Sequence, residues 1–149
     1  MEKGISVNDA TKKLEYYCSY QDRCYKEVIQ KLKSLGMYET EINHILDHLT
    51  TNNYLNEERF ARSFARGKHN FKGWGKRRIE QELKFRDISS YNIKTALKEI
   101  ENDYLNNFYT LADKKWHALT DNSLDAKKRK YIDYLMRKGY ESNLIYQSL

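Results

Sequence analysis

Three stretches of this chain can be laid over one another at offsets of 51 and 52 residues, and this limits the fold more than anything else in the sequence. Leu32, Leu83 and Leu135 correspond, as do Val28, Ile79 and Tyr131, and then Met37, Ile88 and Tyr140. One helix further on, Ile42, Ile93 and Ile145 match, followed by Leu46, Leu97 and Leu149. Gly36 and Gly139 also match, with Asp87 in register between them. Any two amphipathic helices can be slid into partial register. Five apolar positions matching three times at nearly constant offset are not expected of such sliding. Self-similarity at this period marks an array of small units that bury their apolar faces against each other.

The apolar positions recur three, four and seven residues apart, which is helical spacing. The chain has no proline and only six glycines, so long helices meet few hard stops. Ser6 with Asp9 predicts a first helix over about residues 7–19, and Asp22 is expected to cap a second. Gly36 suits a left-handed helix end, and Asn52-Asn53 stops a third helix. Asn56, followed by Glu57 and Glu58, opens the next helix, which Gly73-Trp74-Gly75 breaks. Ser89 or Ser90 caps another helix. Gly139 ends the penultimate one, and a last helix starts after Glu141. The expected fold is all-α: three tandem three-helix repeats, at residues 1–53, 54–102 and 103–149, stacked into an elongated, curved array.

Charge is focused in the middle of this array. Residues 59–86 hold ten Lys or Arg against two acids, a net of +8, while the whole chain is +6. Residues 1–58 are net −3 and residues 87–149 net +1. Such focusing concentrates polyanions and speeds their association. Arg59, Arg62 and Arg66 lie within about 60° of one another on a helical wheel, opposite Phe60, Ala61, Phe64 and Ala65. They read as an outward stripe behind an apolar face. Past the glycine break, Lys76, Arg77 and Arg78 open the next helix, with Lys72 before the break and Lys84 after it. Aromatic rings interleaved with bases suit single-stranded nucleic acid. Phe60 and Phe64 face the core, whereas Phe71 and Trp74 are equally suited to core or contact.

Other chemistry is poorly supported. His44 and His48 share a helix face with Asp47 between them, but no third metal ligand is evident, and a core stripe explains the segment. Gly73-Trp-Gly75-Lys76-Arg77 lacks the glycine spacing and the hydroxyl of a phosphate-binding loop. His69 and His117 fall on polar or loop-like positions. No catalytic triad stands out, so no catalytic residue, metal or cofactor is expected, and the chain is expected not to be an enzyme. The N-terminal residues lack an apolar signal core, and no run could span a membrane. Cys18 and Cys24 read as free thiols of a reducing compartment, hence a cytoplasmic protein expected to act as a monomer.

The segments Tyr54-Leu55-Asn56-Glu57-Glu58-Arg59-Phe60-Ala61, Lys72-Gly73-Trp74-Gly75-Lys76-Arg77-Arg78-Ile79 and Glu82-Leu83 resemble the central motif of the bacterial regulatory protein family RecX. The resemblance covers nearly the whole chain, since members are three tandem three-helix units. It is weaker in the first unit, where Cys24 replaces a frequent serine and Glu27-Val28 a Glu-Leu pair. Asn56 and Asp87 also depart from a frequent aspartate and glycine. The resemblance implies a protein that binds the RecA recombinase filament on DNA and inhibits its ATP hydrolysis, strand exchange and co-protease activity. It implies a binding surface rather than a catalytic site, carried by Arg59, Arg62, Arg66, Lys72, Lys76, Arg77, Arg78 and Lys84, with Phe71 and Trp74 as further contacts. The alternative from the residues alone is a stand-alone nucleic-acid-binding helical module acting through its basic central repeat.

Overall fold

A computed structural model describes residues 4–149; the first three residues of the expected first unit lie outside it. All regular structure among the described residues is helical: α1 (Val7–Tyr20), α2 (Tyr25–Ser34), α3 (Glu39–Thr51), α4 (Glu57–Lys72), α5 (Lys76–Phe85), α6 (Ser90–Lys98), α7 (Tyr104–Ala118), α8 (Leu124–Lys138) and α9 (Ser142–Gln147). None of these helices is long and apolar enough to cross a membrane.

The repeat is visible as burial. Four of the five matched columns are buried in all three units: Leu32, Leu83 and Leu135; Val28, Ile79 and Tyr131; Met37, Ile88 and Tyr140; Ile42, Ile93 and Ile145. Each such side chain contributes about 1.5–3 kcal/mol relative to full exposure. The fifth column does not hold. Leu46 and Leu97 pack at the edges of their cores, but α9 ends at Gln147 and leaves Leu149 46% exposed. The matched turn recurs in the backbone as well. Gly36, Asp87 and Gly139 all have positive φ, at 84°, 59° and 96°. Asp can adopt this left-handed region more readily than most residues with a side chain.

Caps follow the sequence closely, with one exception. Ser6, Asn56 and Ser89 each accept a backbone N–H three residues on, at 3.0–3.1 Å. Asp22, expected to cap α2, does not. Cys24 occupies the N-cap position, and the Glu27 carboxylate reaches back to accept its N–H at 3.0 Å. The carboxylate of Asp22, two residues ahead of that cap, instead meets Arg59 Nε at 2.6 Å in a charge-assisted bond.

The units are joined unequally. The first has its own core, centred on Leu14, Val28, Leu32, Ile45 and Leu49. Its junction with the second is largely polar: the Asp22–Arg59 pair, Tyr25 N–H donating to Glu57 at 2.8 Å, and Lys26 Nζ donating to the Phe85 carbonyl at 2.8 Å. The second and third units share one continuous core, which includes Phe60, Ile79, Tyr104, Phe108, Tyr131 and Tyr140. Total accessible area is 9572 Å². A compact monomer of this mass, 17.9 kDa, would expose about 8,000 Å². The excess is what a row of small units exposes.

Candidate interaction surface

The second and third units meet through their backbones. Gly75 N–H donates to the Lys138 carbonyl at 2.7 Å, and Arg77 N–H donates to the Gly139 carbonyl at 2.9 Å. A Cβ on Gly75 would lie 2.5 Å from the Gly139 carbonyl oxygen, so only glycine permits this approach. The N-terminus of α5 is thereby pressed against the C-terminus of α8. Donors at a positive helix end meet acceptors at a negative one, which favours the arrangement. Tyr104 supports it from below: its hydroxyl accepts Lys76 N–H at 2.9 Å and donates to the Glu141 carboxylate. Burial, and then the bond to Glu141, push the Tyr104 phenol far above its ordinary pKa.

This contact brings bases of two units together. Arg78 lies over the Trp74 ring, 4.1 Å from its centroid, and donates to the Arg137 carbonyl at 3.2 Å. Lys138 Nζ donates to the Lys72 carbonyl at 2.8 Å. Arg77, Arg78 and Arg137 line a cleft with Gln81, Met136, Gly139 and Tyr140. The one acid in that cleft, Glu82, is engaged by Arg86 at 2.9 Å. Partial burial, and then the charges of Arg78 and Lys72, hold Lys138 below the usual lysine pKa. Like charges are thus held close without neutralisation, and an anion placed among them offsets their repulsion.

The arginine stripe of α4 is differently placed. Arg59 is bound by Asp22 and donates to the carbonyls of Asn53 and Tyr54 at 3.2 and 3.1 Å. Arg66 pairs with Glu99 at 2.7 Å. Arg62 lies between Glu58, at 3.2 Å, and Glu99, at 4.0 Å. These three arginines face acids of this same chain and fasten α4 to the first unit and to the end of α6. Lys84 pairs with Glu80 at 2.9 Å, and Lys76 Nζ sits 4.5 Å from the centroid of Tyr104. Of the bases expected to bind, Arg77 and Lys72 are exposed and meet no carboxylate among the described residues, and Arg78 meets none either. Arg137 and Lys138 join them from the third unit, although the middle-repeat charge count passed over both.

The two aromatic candidates separate. Phe71 is 88% exposed. Trp74 packs against the shared core, edge-on to Phe64, with Lys68 and Arg78 at its ring. His69, expected on a polar position, is buried. It stacks on Tyr104, with Nδ1 2.8 Å from the Trp74 carbonyl and Nε2 3.0 Å from Asn107 Nδ2. Nδ1–H donating to the carbonyl leaves Nε2 to accept from Asn107, so the neutral ring satisfies both bonds. His48 bonds Glu15 at 2.7 Å, and no group of three metal-binding side chains occurs among the described residues.

Comparison with known proteins agrees with this architecture. Residues 56–97 match the second three-helix domain of RecX, and residues 101–149 match the third. The chain is 32% identical over 132 residues to the regulatory protein RecX of Vibrio campbellii, covering 88% of this chain and 83% of that one. It is 32% identical to the RecX protein of Acinetobacter baylyi, covering 83% of this chain and 75% of the relative. It spans only half of the longer RecX protein of Streptococcus uberis, at 28% identity. The crystal structure of RecX from Lactobacillus salivarius superposes with a TM-score of 0.81 at 26% identity, over 95% of this chain and 93% of that one. By sequence along most of its length and by the arrangement of its helices, this chain belongs to the RecX family of regulatory proteins.

Proposed function

We propose that this protein regulates the RecA recombinase in the bacterial cytoplasm, binding as a monomer along the RecA filament on DNA and inhibiting its ATP hydrolysis, strand exchange and co-protease activity. In this reading the units at 1–53, 54–102 and 103–149 follow the filament. The basic junction of α4, α5 and α8 makes the charged contact, through Lys72, Arg77, Arg78, Arg137 and Lys138. The observation that carries the reading is this cluster of bases, crowded at the junction and meeting no carboxylate among the described residues, in a chain whose relatives are regulatory proteins. An acidic protein surface or a line of phosphates supplies the missing anions.

RecA-dependent ATP hydrolysis on single-stranded DNA, measured with and without the protein, tests this. Inhibition at stoichiometric or lower ratios is expected. No inhibition, together with tight, steeply salt-dependent binding to naked DNA, overturns the reading and leaves a stand-alone nucleic-acid-binding module in its place.

A further inference from the structure

The first unit carries a surface that the junction does not involve. Along the outer face of α1, where it meets α2, a groove is lined by Lys12, Lys13, Tyr16, Tyr17, Tyr20, Arg23, Lys31 and Leu35. Tyr16 and Tyr20 are each 72% exposed, one helical turn apart, with ring centroids 6.4 Å apart and planes inclined by 32°. Neither ring belongs to the core of the first unit. Arg23 Nε donates to the Tyr17 carbonyl at 3.0 Å, which holds its guanidinium 3.6 Å from the centroid of the Tyr17 ring. Lys31 Nζ stands 5.8 Å from the same ring.

No acid lines this groove, although residues 1–58 are net −3. Three acids near it in sequence are engaged elsewhere. Glu15 bonds His48, Asp22 pairs with Arg59, and Glu27 accepts from Cys24. The face therefore combines four bases, none of which meets a carboxylate among the described residues, with two exposed flat rings.

We propose that this face is a binding site for single-stranded nucleic acid, with Tyr16 and Tyr20 as stacking platforms and Lys12, Lys13, Arg23 and Lys31 as phosphate contacts. Bases without acids explain attraction to any polyanion. The paired rings select among polyanions: a single strand offers exposed base faces to stack on, a duplex hides them, and an acidic peptide has none. Stacking and phosphate contacts are common to both kinds of strand, so the site takes DNA and RNA strands alike. It rests on the first unit alone and does not depend on RecA.

The test uses the full chain carrying Arg77→Ala and Arg137→Ala, so that the junction contributes little. Binding of fluorescent oligo-dT and oligo-rU is followed by anisotropy. Tyr16→Ala with Tyr20→Ala weakens both by about tenfold or more, whereas the corresponding Phe pair, which keeps the rings, stays close to the parent. Lys12→Ala with Lys13→Ala lowers the salt slope by about 1.4, the single-strand value for two phosphates. Iodouracil photocrosslinks map to Tyr16 or Tyr20. The proposal is overturned if the Ala and Phe pairs bind alike, if crosslinks map elsewhere, or if polyglutamate or duplex DNA competes as well as the free strand. The ATP-hydrolysis assay is scored separately, so loss of RecA regulation leaves this result readable.

Discussion

Gly139→Ala isolates the junction that assembles the basic cluster. At φ 96° any L side chain is strained, by about 1 kcal/mol. Gly73, at φ 71°, carries the same kind of strain, but there a Cβ would meet only flexible side-chain atoms, the nearest being Leu111 Cδ2 at 3.6 Å. At Gly139 the Cβ would lie 2.3 Å from Arg78 Cβ and 2.5 Å from Arg78 N. Those atoms belong to the rigid start of α5 and cannot rotate away. Overpacking of this kind adds about 1–3 kcal/mol. If α5 withdraws instead, the bonds from Gly75 to Lys138 and from Arg77 to Gly139 go, at about 1 kcal/mol each. The expected cost is about 2–4 kcal/mol for Gly139→Ala and about 1 kcal/mol for Gly73→Ala. Urea unfolding is followed by circular dichroism for all units, and by fluorescence of Trp74 and Trp116 for the second and third. Equal costs for the two variants refute the reasoning, because only the junction distinguishes them.

Other outcomes follow from individual residues. Gly67 lies inside α4 with nothing within 4 Å of an added Cβ, so Gly67→Ala raises stability by about 0.5–1 kcal/mol, read as a higher urea midpoint. Asp22 and Arg59 join the first two units. A double-mutant cycle to Ala gives a coupling of about 1–3 kcal/mol, and a value near zero contradicts the assigned role. Burial pushes the thiols of Cys18 and Cys24 up to about 11 and the phenol of Tyr140 up to about 12, and raises Tyr104 as well. The unfolded chain releases these protons at lower pH than the folded one. Stability is therefore fully present below the ordinary thiol range, about pH 8.5, and falls as pH rises towards 11–12. Thermal melts across pH 8–11 show the fall, and Tyr140→Phe reduces its slope.

Much of the fold was legible because it is local. Helix periods, the caps at Ser6, Asn56 and Ser89, and the recurring turn at Gly36, Asp87 and Gly139 all depend on neighbours a few residues away. The focusing of charge was equally plain. What stayed hidden was pairing at a distance. Arg59 and Arg66 find their acids 37 residues back and 33 residues ahead, so a stripe that looks outward on a wheel becomes a seam between helices. Arg137 and Lys138 escaped notice because the third unit is nearly neutral overall, yet both immediately precede Gly139, whose register with Gly36 was already visible. His69 carried a missed signal too. It follows Ala61 and Ala65 at four-residue spacing, along the buried face of α4.

The central claim is that the exposed junction bases bind, whereas the α4 stripe is taken up inside the chain, Arg59 by Asp22 of the first unit and Arg62 and Arg66 by Glu99 at the end of α6. Inhibition of RecA-dependent ATP hydrolysis, measured for Arg77→Ala with Arg137→Ala and for Arg62→Ala with Arg66→Ala, separates these roles. The account predicts that the junction pair loses inhibition with its melting temperature unchanged, while the stripe pair keeps inhibition below its lowered melting temperature. Lost inhibition in a stable stripe pair, with full inhibition retained in the junction pair, would contradict it.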